Sequence, residues 1–162
     1  GVTYDTGALM NRRDLWALHL RSLQKGERPV VPAAVLGQAW RGGPQAQLSR
    51  LLRGCRIEDF NEPRARAVGV ACARSGVRDI VDAAVVVGAM ARRDVVVTSD
   101  PDDLEKIVSA LEGHHFASIG CDAHVVRSHP SRNASVGCTR VPRQTGGHKG
   151  RPYVVVIRAS KC

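Results

Sequence analysis

The stretch Asp79–Leu104, DIVDAAVVVGAMARRDVVVTSDPDDL, decides how the chain is read. Asp79 and Asp82 stand three residues apart, so a helix starting here carries both carboxylates on one face. An apolar run through Val85, Val86, Val87, Ala89 and Met90 continues the helix, and the charged break Arg92-Arg93-Asp94 ends it. Val95-Val96-Val97-Thr98 then reads as a short buried strand. That strand runs out into Ser99-Asp100-Pro101-Asp102-Asp103, and a helical pattern resumes at Leu104. In open α/β sheets ligands bind beyond the carboxyl ends of the strands, so Asp100 stands where chemistry is done. Asp102 and Asp103 fall after the turn and suit a helix cap better than a ligand role.

Upstream, the same arrangement occurs once more. Val2-Thr3-Tyr4 reads as a strand, and Asp5-Thr6-Gly7 at its end leads into a helix over residues 8–24. Asp5 or Thr6 can cap that helix, and capping does not exclude metal binding at the same position. Leu9, Trp16, Leu20 and Leu23 form its apolar stripe, which places Trp16 in the core. Pro29-Val30-Val31-Pro32 is a short strand, with Pro32 suited to open the helix Ala33–Arg41. Gly42-Gly43-Pro44 stops that helix, and Gln45–Leu52 forms another. Arg56–Phe60 reads as a strand. Ala65, Val68, Gly69, Cys72 and Ala73 give the next helix a narrow apolar face, with Cys72 as a small buried hydrophobe. This alternation predicts an α/β fold, a three-layer α/β/α sandwich around a mostly parallel central sheet.

The chain has 162 residues, enough for one domain with a real core or a domain plus an extension. Its formal net charge is +9, unevenly spread. Residues 1–110 hold 16 Lys/Arg against 13 Asp/Glu, whereas residues 111–162 hold 8 against 2. A basic surface favours a polyanionic partner through electrostatic steering. The five cysteines are irregularly spaced and make no disulfide framework. No run is long and apolar enough to span a bilayer, and Gly1–Asp5 shows no basic region leading into a signal core. The expectation is a cytoplasmic protein.

Four acids carry the candidate chemistry: Asp5 and Asp100 at strand ends, Asp79 and Asp82 at a helix start. Parallel pairing can bring all of them to one edge of the sheet. Clustered carboxylates repel one another unless protons or cations offset the charge. Oxygen-only ligands suit Mg²⁺ or Mn²⁺, ions that bridge to phosphates and activate water. Thr6, Thr98 and Ser99 are placed to orient a carboxylate or a water.

Asp5 in Tyr-Asp-Thr, Asp82 in Asp-Ile-Val-Asp-Ala and Asp100 in Val-Val-Thr-Ser-Asp resemble the acidic motifs of PIN domains. The closest resemblance is to the VapC-type toxins of bacterial toxin–antitoxin pairs, and it covers roughly residues 2–110. It implies a metal-dependent endoribonuclease that leaves a 5′-phosphate and a 3′-hydroxyl. It also implies a homodimer held inactive by a cognate antitoxin, with structured RNA as substrate. On this resemblance Asp5, Asp82 and Asp100 hold the ion, Mg²⁺ or Mn²⁺. The family usually carries a glutamate in the helix after the second strand, where this chain has Gln38. Gln38 is then an outer-shell group and Asp79 the substitute carboxylate. The alternative is a PIN-like protein that binds antitoxin or RNA with little or no cutting. Arg12, Arg13 and Arg41 are candidate phosphate contacts.

Beyond residue 111 the composition changes. Residues 112–162 form a basic, Gly/Ser/His-rich extension holding five of the six histidines and three of the five cysteines. Phe116–Ile119, His124–Val126 and Tyr153–Ile157 are its strand candidates. Cys121, His124, His129 and Cys138 stand at a spacing that matches no recognised zinc pattern. A basic tail adding RNA affinity and an altered reading frame are the other accounts of this segment.

Overall fold

The computed structural model describes residues 1–10, 12–115, 124–128 and 153–158. Its elements run β1 (Val2–Tyr4), α1 (Thr6–Met10), α2 (Arg12–Gln24), β2 (Val30–Pro32), α3 (Ala33–Ala39), α4 (Ala46–Arg53) and β3 (Arg56–Glu58). They continue as α5 (Glu62–Ser75), α6 (Ile80–Arg92), β4 (Val95–Thr98), α7 (Asp102–His115), β5 (His124–Ser128) and β6 (Tyr153–Arg158). The sheet order is β3-β2-β1-β4-β6-β5. The first four strands are all parallel, with helices packed against the sheet, as an α/β sandwich requires. β6 lies antiparallel on β4, and β5 antiparallel on β6.

The register fixes where the site falls. Val2, Thr3 and Tyr4 of β1 pair with Val95, Val96 and Val97 of β4. The Asp5 amide extends that ladder, donating to the Val97 carbonyl at 3.0 Å. Residues 5 and 98–100 therefore leave neighbouring strands on the same side of the sheet.

α6 is the central helix because it is apolar almost all round. Ala83, Ala84, Val85, Val86, Gly88 and Ala89 are all buried, and the small residues let it lie close to its neighbours. A Cβ on Gly88 would come within 2.6 Å of Glu58 Oε2, so a larger residue there would push against the Glu58–Arg92 pair. Asp79 caps its start, and Arg93 ends it in the left-handed conformation at φ 58°. α5 opens on Asn61, whose side chain accepts from the Arg64 amide at 3.1 Å, and closes on left-handed Gly76.

An ion network ties the elements together away from the acidic strand ends. Arg92 Nε donates to Asp94 Oδ2 at 2.7 Å, and its guanidinium also reaches Thr3 Oγ1 and Glu58 Oε1. Arg64 is the second cation on Glu58, at 2.9 Å. Burial by itself would raise the Asp94 carboxyl. Hydrogen bonds from Arg92 and Thr3 and the guanidinium charge outweigh it and hold the group below the usual carboxylate range.

Some local expectations are corrected. Trp16 is only half-buried, with the Arg50 guanidinium 5.3 Å from its ring centre. The fully buried polar residue of α2 is His19, whose Nδ1 lies 3.4 Å from the Tyr4 hydroxyl. Leu20 and Leu23 of the expected stripe are exposed, and Leu15, His19 and Ser22 take the buried side of the helix. Cys72 is half-buried rather than a core residue. The last helix begins at Asp102, two residues before Leu104, with the Pro101 carbonyl accepting from the Glu105 amide at 2.9 Å. Strands occur at two of the three late candidates. Residues 116–119 lie outside the described residues, as do Cys121, His129 and Cys138.

Candidate acidic site at the strand ends

Asp5 is the most confined of the four acids, 5 % exposed. Its Oδ1 accepts from the Thr6 amide at 2.5 Å, and its Oδ2 accepts from the Thr98 hydroxyl at 2.7 Å and the Gly7 amide at 3.3 Å. Burial raises its carboxyl above the ordinary value, the hydrogen bonds from Thr98, Thr6 and Gly7 work against that, and the Asp79 charge adds to the rise. Gly7 is required by sterics, since a Cβ there would collide with the Ser99 side chain. That collision is the tertiary reason for glycine in Asp5-Thr6-Gly7.

Thr98, the last residue of β4, is fully buried. Its hydroxyl donates to Asp5 and accepts the Asp100 amide at 3.0 Å, so one side chain fixes the relation between the two strand-end acids. Asp100 itself is exposed, and Ser99 is half-buried against Gly7. On the other side, the Thr6 hydroxyl donates to Gln38 Oε1 at 2.5 Å. Gln38 thus reaches the site through Thr6, leaving its amide nitrogen as the free end of the side chain.

Asp82 sits half-buried in the first turn of α6. Its carboxyl is pushed up to about 7, first by burial and then by the charges of Asp5, Asp79, Asp103 and Asp100. Acids from β1, α6 and the β4–α7 turn thus bear on one carboxyl. Asp79 is the N-cap of α6: its Oδ1 accepts from the Val81 amide at 2.7 Å and the Asp82 amide at 3.2 Å. Asp103 was set aside in the sequence as a post-turn residue, yet its charge bears on Asp82 while it pairs with Lys106 at 2.6 Å. The signal for it was its position in the first turn of α7, three residues after Asp100.

Among the described residues no three His, Cys, Asp or Glu side chains stand close enough to hold one ion. The donor set nevertheless fits a hard divalent cation in chemistry. It is all carboxylate oxygen, and the mutual repulsion that raises Asp82 is what such a cation relieves. Asp100 is exposed at the strand end, whereas the exposed Asp79 carboxylate is held by the Val81 and Asp82 amides at the start of α6. Of the basic candidates, Arg12 and Arg13 lie in α2, and Arg41 is exposed just beyond α3.

No protein-family model, curated protein or solved structure matches the chain. Among the described residues no helix is long and apolar enough to cross a membrane.

Proposed function

We propose that the chain is a metal-dependent endoribonuclease of the PIN type, acting as the toxin of a toxin–antitoxin pair. The observation that supports this reading is the Thr98 hydroxyl joining Asp5 to the Asp100 amide at the neighbouring ends of β1 and β4, with Asp79 and Asp82 at the start of α6. Asp5, Asp82, Asp100 and Asp79 would hold Mg²⁺ or Mn²⁺, which when bound supplies an activated water and offsets charge on the phosphodiester. The chain's own residues do the rest. Thr98 and the Thr6 and Gly7 amides fix the Asp5 carboxylate. Thr6 also fixes the Gln38 carbonyl oxygen, and the Gln38 amide protons would serve as donors to a phosphate oxygen. The Asp82 carboxyl is pushed up by burial and by its acidic neighbours, and a bound cation would favour its ionised form. The partners in this reading are RNA, a cognate antitoxin and a second copy of the chain, in the cytoplasm.

Gln38 supports one alternative from another class: a PIN-like protein that binds antitoxin or RNA without cutting. The amide brings no charge to the site, and a weaker ion site follows. The decisive experiment is incubation with total RNA with and without Mn²⁺, with fragment ends mapped. New 5′-phosphate ends that vanish in Asp5→Asn establish the nuclease. RNA left intact, with no Mn²⁺ binding by calorimetry, establishes the alternative.

A further inference from the structure

A single cation stands at the β4–α7 side of the acidic strand ends. Lys106 Nζ donates to Asp103 Oδ1 at 2.6 Å, between residues three apart on α7. Lys106 is the only Lys or Arg between Arg93 and Arg127, and it follows a first turn that carries Asp102, Asp103 and Glu105. Among the described residues no ion pair engages Asp5, Asp79, Asp82 or Asp100. The hydrogen bond to Asp103 raises the ammonium above its ordinary value, and the charges of Asp103, Asp102 and Asp100 add to the rise. The lysine thus lies within the field of the cluster while bonded to one member of it.

Stability does not account for a cation at this position. The Lys106 side chain is 63 % exposed and that of Asp103 49 %, and an exposed pair of this kind adds little. Near the start of a helix the dipole favours acids, not cations. Lysine is also the rarer choice here, one of four in a chain rich in arginine. A guanidinium would grip Asp103 with two prongs, whereas an ammonium on a flexible stem changes partner readily. Lys106 borders an open groove of about 580 Å³ with Ser75, Asp102, Glu105 and Ser109, so the ammonium has room to turn.

We infer that Lys106 is a phosphate-binding residue of this site, its ammonium exchanging Asp103 for a non-bridging oxygen of the RNA backbone beside the acidic strand ends. A polyanion approaching Asp100 from the side of α7 meets acids, and Lys106 is the basic residue of that helix able to offset them. The exchange trades one anionic acceptor for another and leaves no group without a counter-charge once the acids hold a cation. A phosphate contact carries no base information, so Lys106 sets the register of the strand against Asp100 and not a sequence preference. The inference rests on RNA as the polyanion of the reading above, and it applies whether the bound strand is cut or only held.

The test is retention of end-labelled total RNA by the full chain on filters, in chelator, over a salt series. The slope of log affinity against log salt should shrink by about one in Lys106→Gln, uniformly across RNA sequences, and return in Lys106→Arg. Lys25→Gln removes the same charge from the exposed residue after α2 and should change the slope far less. Mn²⁺ affinity by calorimetry should be equal or higher in Lys106→Gln, because a like charge leaves the surroundings of the ion. A residue that merely held Asp103 in place would lower it. A wild type with no affinity for RNA overturns the RNA reading and the role of Lys106 together. A wild type that binds RNA, with Lys106→Gln at the wild-type slope, or no different from Lys25→Gln, or with weakened Mn²⁺ binding, overturns the role of Lys106 and leaves the RNA reading standing.

Discussion

The Thr98 hydroxyl donates to Asp5 Oδ2 at 2.7 Å, joining the ends of β1 and β4 across 93 residues of chain. Both groups are buried, so the bond is shielded from water and carries a charged acceptor. The same hydroxyl accepts the Asp100 amide, which makes Thr98 the pivot of the acidic cluster.

Thr98→Val removes that donor and keeps the shape. The expected cost is about 1.5–3 kcal/mol, the range for a hydrogen bond to a charged group. The Asp5 carboxyl should titrate higher, because burial then acts with one fewer opposing bond. Thr98→Ser should restore both. Urea denaturation measures the first quantity, and carboxyl-carbon NMR titration of Asp5 the second.

Asp82 sets a pH dependence with a definite sign. Its folded-state value of about 7 lies above the ordinary 3.8, so the folded chain holds the proton more tightly than the unfolded chain. This contribution to stability is fully present below the unfolded value and is lost as pH rises from about 4 to about 7. Asp82→Asn should therefore stabilise the metal-free protein above pH 7 and change little at pH 4. The expected gain is about 1–2 kcal/mol, the full shift being discounted for the part of the carboxyl that faces water. Thermal melts in chelator across that range would show it; a variant equally stable at both ends would exclude a repulsive cluster.

Gln38→Glu puts a carboxylate beside Thr6 in place of the amide. In chelator it should lower stability and move Asp82 higher still, since one more negative charge joins the group. With Mn²⁺ the sign reverses: affinity by calorimetry should rise by about tenfold, as an added anionic oxygen ligand favours a hard cation. Equal Mn²⁺ affinity in the two proteins would place residue 38 outside the ion's reach.

Arg92→Met tests the network that holds β1, β3, α6 and β4. It leaves Asp94 and Glu58 without their shared guanidinium, with Arg64 still on Glu58. The expected loss is about 3 kcal/mol, as when one member of a buried pair is removed. Asp94 is held below the usual range, so its contribution is present above the unfolded value and disappears as pH falls through the folded one. Arg92→Met lacks most of that contribution, so the stability gap between the two proteins should narrow as pH falls through the folded value, read by circular dichroism melts across pH.

The strands and helices up to residue 115 follow local chemistry, and the sequence marks them closely. Four consecutive β-branched residues make β4, Asp79 and Asn61 cap helices, and left-handed Gly76 stops one. Where local signals compete, the sequence misleads. Trp16 lay on the apolar stripe of α2, yet His19 holds the buried place because the Tyr4 hydroxyl is there to meet it. Asp103 looked like a post-turn residue because nothing local relates the first turn of α7 to α6.

The sequence by itself determined the alternation of strands and helices and the identity of the four acids, because hydrophobic period and strand-end position are written residue by residue. Only the tertiary structure decided that β1 lies beside β4, which brings Thr98 to Asp5, Ser99 to Gly7 and Thr6 to Gln38. It alone also put the charges of Asp5, Asp79, Asp100 and Asp103 on Asp82. Strand order and electrostatic coupling depend on distances through space between residues far apart in the chain, and no local pattern encodes those distances.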